Sequence, residues 1–296
     1  MYLGEIAALL TATCWVGSSI SFEYAGKQVG SLVLNLMRLI IAFVIITGIN
    51  FIITQSFQNI NITWESFGIL LISGLVGFVL GDLFLFQAFI DIGARVSTLI
   101  MALAPPLTAI MSYFILGETL GGGQILGMLV TVLGIVIVIT SKDGNDKKLR
   151  LKHSRKGILF AFLGAIGQAL GLIFSKIGVR DLNPFVATQV RILAGIIGFI
   201  LILTYARKWK AFFNAFRQKN AMAGITIGSL FGPVVGVSLS LTAVKYTSTA
   251  VASTLMALSP VIIIPISIIF LKEQVKANEI IGALVGVVGV AILFLV

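Results

Sequence analysis

Asp82 is the one acid well inside an apolar run of this 296-residue chain, LISGLVGFVLGDLFLFQAF. A carboxylate in hydrocarbon costs at least ~2.5 kcal/mol, so it must face a partner or a wet cavity. Arg38, in LNLMRLIIAF, is a candidate partner. If both runs are helices, a rise of 1.5 Å per residue puts the two at similar heights, roughly 9 and 12 Å from one side. Two chemistries follow. Asp82 binds a coupling proton, an ion or a substrate ammonium, or the Arg38–Asp82 pair only fixes helices. Arg191 stands in a similar setting to Arg38, near a helix start. Each arginine can snorkel to the headgroups or hold an anionic substrate group.

Other side chains extend the candidate site. A long amide is costly against lipid, so Gln87 and Gln168 are expected to face protein or a cavity. Trp15 and Phe86 can stack on a substrate or simply pack. Ser97 and Thr98, with Thr11, Thr13, Ser18, Ser19, Ser238, Ser240, Ser253 and Thr254, can bind a polar solute or tie helices together. Pro105, Pro106, Pro260 and Pro265 interrupt two apolar runs. Each removes a backbone donor, as a static kink or as a hinge that exposes carbonyls. Glu118 and Glu273 stand just before apolar runs, where an acid favours the positive end of a helix. Gly164, Gly167 and Gly171, and again Gly282, Gly286 and Gly289, permit close helix packing, and the glycines of the fifth and tenth runs can serve it internally or between copies.

Composition says what these residues sit in. The chain is 58% hydrophobic and only 11% charged, with a mean hydropathy of +1.09. A soluble domain has about a quarter of its residues charged. Lipid is therefore the solvent, and continuous apolar runs of about 20 residues mean helices rather than barrel strands. The runs fall at about 3–22, 32–54, 66–89, 94–116, 121–140, 157–178, 185–205, 221–244, 249–271 and 277–296. The first is read as a permanent span, since no basic segment precedes it. Residues 206–220 mix cations with Trp209, Phe212, Phe213 and Phe216, the pattern of a short interfacial helix.

The net charge of +10 is loop charge, largest in residues 142–156, and not a nucleic-acid footprint. Loops after odd-numbered spans carry most of it, which predicts that those loops are cytoplasmic and both termini external. Cys14 is the single cysteine and His153 the single histidine, so neither a disulfide nor a metal centre is expected. No GxxxxGK[ST] motif is present, and no cofactor is expected.

The chain repeats itself. One shift carries Gly4 onto Gly157 and Arg38 onto Arg191; a slightly longer one carries Met101-Ala102-Leu103 onto Met256-Ala257-Leu258, Pro105 onto Pro260 and Glu118 onto Glu273. In that register Asp82 meets Val237. The predicted fold is an all-α integral membrane protein with ten transmembrane helices as two inverted five-helix repeats, residues 1–140 and 157–296, joined by a basic linker at 141–156. Five helices are an odd number, so the second copy enters the membrane inverted, as in many secondary transporters.

With LNLMRLIIAF, MALAPPLTAIMSYFILGETLGGGQILGMLVTVLGIVIVI and MALSPVIIIPISIIFLKEQVKANEIIGALVGVVGVAILFL on the page, the chain resembles the drug/metabolite transporter superfamily, EamA type. The resemblance covers nearly the whole chain. It implies a plasma-membrane carrier whose central cavity is lined by spans 1, 3, 4, 6, 8 and 9, with spans 5 and 10 peripheral. Small four-helix multidrug members carry a proton-binding Glu within the first helix; here the middle of that helix reads Leu9-Leu10-Thr11-Ala12-Thr13-Cys14. The expected function is export of a small metabolite, such as an amino acid, by alternating access, with proton coupling through Asp82 or uncoupled exchange. A passive channel and a membrane-embedded enzyme are the rivals; the latter lacks a catalytic set at one depth. The expected partners are lipid and a small-molecule substrate, with the oligomeric state left open.

Overall fold

A computed structural model describes residues 2–54, 62–119, 121–139, 154–180, 182–259, 261–262, 265–266 and 277–295. The described residues are almost all helical. We label the helices α1 (Leu3–Val29), α2 (Ser31–Thr54), α3 (Trp64–Ala94), α4 (Ala104–Leu116), α5 (Gly122–Ile139), α6 (Arg155–Val179), α7 (Pro184–Tyr205), α8 (Trp209–Ala215), α9 (Lys219–Tyr246), α10 (Thr249–Met256) and α11 (Ala277–Leu295). Six of them (α1, α2, α3, α6, α7 and α9) are long and apolar enough to cross a membrane. Side chains such as Val44, Ile52, Phe114 and Leu201 stay exposed on the outside of the bundle, as lipid-facing residues do.

The third helix runs further than its hydropathy indicated. It continues past Asp91 to Gly93, whose φ of +82° ends it sharply. Only glycine adopts that conformation without strain. Helix resumes to Ile100, tightens into a 3₁₀ turn at Met101–Leu103, and restarts as α4. Pro105 and Pro106 occupy the first turn of α4, where a missing N–H has no partner to lose. At Pro105 and Pro106 the predicted kink is therefore a tightened turn just ahead of the prolines. Pro265 is exposed; Pro260, Glu273 and most of the 141–156 linker lie outside the described residues.

The halves cross-pack. Helix α6 lies on α3, and α1 lies on α9. Glycines set the first contact: a Cβ on Gly167 would stand 2.6 Å from Gly81 Cα, and one on Gly171 would stand 2.8 Å from Gly77 Cα. Helices α5 and α11 pack on each other, with Gly134 against Gly282 and Gly286 and Gly289 against Gly127 and Thr131. The glycines of spans 5 and 10 thus serve packing within the chain.

Two π-helical segments interrupt the long helices, Leu75–Gly81 in α3 and Leu230–Gly236 in α9. They fall at matching places in the repeat, immediately before Asp82 and before Val237. Such segments widen the turn, leave carbonyls loosely bonded and often mark functional sites.

Candidate functional site

A cavity of about 140 Å³ lies between the halves. Its walls come from α1, α3, the lead into α4, α4 itself, α6, α9 and α10, with Arg38 and Arg191 reaching in from α2 and α7. These are the spans that the resemblance implied, plus the two arginines. Trp15, Phe86, Thr98, Asp82 and Gln168 are all on the wall.

Asp82 is 4% exposed and has both carboxylate oxygens engaged. Oδ2 accepts from Arg38 Nη2, and Oδ1 accepts from Gln168 Nε2 at 2.5 Å. The Arg38 contact joins α2 to α3, and the Gln168 contact crosses from the second half to the first. Gln168 Nε2 also approaches the Gly77 carbonyl at 3.4 Å, within the π segment. The glycine contact between α3 and α6 brings that amide within reach.

Arg38 is surrounded. Its Nε donates to Asn35 Oδ1 at 3.0 Å, and its guanidinium carbon lies 4.5 Å from the Phe86 ring centroid and 5.6 Å from those of Phe22 and Phe78. Arg191 sits 4.8 Å over Phe78. Both arginines are buried, at 3% and 4% exposure, which corrects the snorkelling expectation. A snorkelling arginine points outward along its own helix. These two point at the carboxylate and the aromatic rings, whose faces attract a cation more strongly away from water.

Two further candidates fall elsewhere. Gln87 accepts from Ser31 Oγ at 2.7 Å and donates to Asp91 Oδ1 at 2.8 Å, so it ties helix ends together and does not line the cavity. Ser97 is fully buried but is likewise off the wall. Sequence reasoning passed over Thr108, Met101 and Pro233, all on the wall. The signal for Pro233 was available: Gly77/Gly81 and Gly232/Gly236 repeat one spacing in the same register.

The bundle is tied at one end by a polar cluster. Glu118 accepts from the Thr249 backbone N–H and hydroxyl, both at 3.0 Å, and pairs with Lys176 at 2.9 Å. Lys176 also donates to the Thr247 carbonyl at 2.7 Å, and Thr247 Oγ1 donates to Glu5 at 3.2 Å. Glu118 does cap a helix, but it is α10 and not its own successor α5. At the other end Glu23 accepts from Ala94 N at 2.9 Å, where the chain leaves Gly93. Glu118→Gln is expected to lower stability by about 1 kcal/mol, since the partners are partly solvated. Thermal unfolding in detergent would read it; an unchanged midpoint would mean that the cluster carries no weight.

The helical architecture and the cavity describe a multi-span membrane transporter, and the comparisons agree. The model of the EamA-like transporter family matches residues 2–140 and again 155–295. The chain belongs to that family. Relatives include an uncharacterized transporter of Clostridium kluyveri, 24% identical over 78% of this chain and 73% of its own length. Another, from Archaeoglobus fulgidus, is 22% identical over 98% and 97%. The uncharacterized transporter YyaM of Bacillus subtilis is 25% identical over 74% and 70%. A solved crystal structure shares the fold with a TM-score of 0.70 at 16% identity, over 99% of this chain and 96% of that one.

Proposed function

We propose that the chain is a ten-span secondary carrier of the plasma membrane, built from two inverted five-helix repeats. It exports a small metabolite, such as an amino acid, by alternating access. One observation carries this reading: a cavity between the halves, with a polar network that spans them. Binding energy exerted on both halves at once is what biases one rocking state over another. The paired π segments beside the cavity are the natural places for the helices to flex. Odd-numbered loops face the cytoplasm in this reading, on the cation count.

The test has two stages. Comparison of culture medium from expressing and empty-vector cells identifies an exported class. Counterflow in proteoliposomes then separates a carrier from a channel: preloaded unlabelled solute accelerates entry of label through a carrier and not through a pore. Absence of counterflow for every exported solute rules out the carrier. An imposed pH gradient separates proton coupling from uncoupled exchange, since only the former drives accumulation.

A further inference from the structure

The two arginines are repeat mates, but only one has its acid. Arg38 finds Asp82 on the next helix of its own half. The position that corresponds to Asp82 in the second half is Val237, on the next spanning helix after that of Arg191. Arg191 is 4% exposed, it lines the cavity, and its Nε has no hydrogen-bond partner. No hydrogen bond to its guanidinium is present among the described residues. Space has been left for it: a Cβ on Gly77 would stand 3.0 Å from Arg191 Nη2. Asp82 lies within electrostatic reach, yet its two oxygens already serve Arg38 and Gln168. Among the described residues the cavity thus holds two guanidinium groups against one carboxylate, one negative charge short of balance. Thr108 Oγ1, on the same wall, also has no partner.

The rest of the wall is uncharged: apolar side chains such as Trp15, Phe89, Leu172 and Met256, with hydroxyls such as Ser18 and Ser253 among them. Trp15 and Val237 occupy the places that Gln168 and Asp82 hold in the other half, so that side of the cavity lacks the acid and the amide. Its volume of about 140 Å³ is close to the ~150 Å³ of an apolar cavity that admits benzene.

We propose that Arg191 anchors the carboxylate of a small organic acid whose ring-sized apolar body lies against Trp15 and Met256. The acid supplies the charge that Val237 withholds. The forked guanidinium suits a carboxylate because two parallel N–H donors match its two oxygens. This inference rests on the carrier reading and narrows it to anionic substrates.

Phenylacetate is the probe and phenylacetamide its neutral counterpart, with binding to the purified protein in lipid nanodiscs read by calorimetry. Phenylacetate is expected to bind at least about tenfold more tightly than the amide, and Arg191→Gln to remove that difference. Arg191→Lys, which keeps the charge and loses the fork, should fall between. Val237→Asp leaves Arg191 in place and installs the missing mate, so it too should weaken phenylacetate at least about tenfold. Equal binding of acid and amide would overturn the proposal. So would unweakened acid binding by folded Arg191→Gln or Val237→Asp, or displacement of phenylacetate by an equal concentration of chloride. Counterflow of labelled phenylacetate keeps the two readings apart. Arg191-dependent binding without counterflow removes the carrier and leaves the anchor. Counterflow of phenylacetamide as fast as phenylacetate, unchanged in Arg191→Gln, removes the anchor and leaves the carrier.

Discussion

Asp82→Asn is expected to destabilise the protein by about 3–5 kcal/mol and to abolish transport. The amide keeps the volume and one acceptor but removes the charge. Arg38 is 3% exposed, and Asp82 is the acid that its guanidinium meets. With Arg191 on the same cavity, the variant buries two cations with no anion between them. The cost is that of an uncompensated charge away from water, which exceeds the net worth of the intact pair. The double variant Asp82→Leu with Arg38→Met tells the two roles of Asp82 apart. Apolar replacement of both partners is expected to return most of the stability, because neither leaves the other unpaired. If Asp82 serves only to hold helices, transport returns as well. If the charged pair takes part in the carrier cycle, the double variant is stable and silent. Unfolding midpoints at matched protein-to-lipid ratio, with counterflow on the same preparations, read both. A single variant as stable as the wild type would mean that the pair bears no structural charge balance.

Gly167→Val is expected to damage both the fold and transport. Its Cβ would stand 2.6 Å from Gly81 Cα and 2.8 Å from Gly81 N. These are backbone atoms in a packed contact, and they cannot rotate away as a side-chain tip can. Helices α3 and α6 would have to part, and overpacking of this kind costs about 1–3 kcal/mol. A second effect follows from geometry. Gln168 is the adjacent residue, and its 2.5 Å bond to Asp82 depends on the same close approach. The variant should therefore lose transport more completely than its stability loss implies. Gly68→Ala is the control, because a Cβ there meets nothing within 4 Å; it should be neutral or gain up to about 1 kcal/mol from helix propensity. If Gly167→Val and Gly68→Ala unfold at the same temperature, the glycine contact is not what sets the α3–α6 distance.

Much of the helical pattern was legible in the chain, because hydropathy is a local property. The segments expected at 32–54 and 185–205 match Ser31–Thr54 and Pro184–Tyr205 closely. The third came out short, at 66–89 against Trp64–Ala94, because Asp91 is a charged residue at the end of an apolar run. Asp91 accepts from Gln87 one turn back, so the helix runs on to Gly93. The Arg38–Asp82 pair was also legible, since similar depth on neighbouring helices leaves a buried acid few alternatives. The fate of Gln87 and Ser97 was not legible. Which face of a helix meets the cavity depends on its rotation, and hydropathy does not report rotation in a helix that is apolar on nearly every side.

By itself the sequence determined the solvent, the six long apolar helices in outline, the repeat and the asymmetry by which Arg38 and Arg191 match while Asp82 and Val237 do not. These follow from residue type and spacing along one dimension. Only the tertiary structure decided that Gln168 crosses to Asp82, that Glu118 caps α10 instead of α5, and that Arg191 is left on the cavity wall without an acid of its own among the described residues. Each is a contact between distant segments, set by how closely glycine faces let two helices approach and by the turn at which each helix meets its neighbour. That information is spread over both halves of the chain, and it exists only once they are packed together.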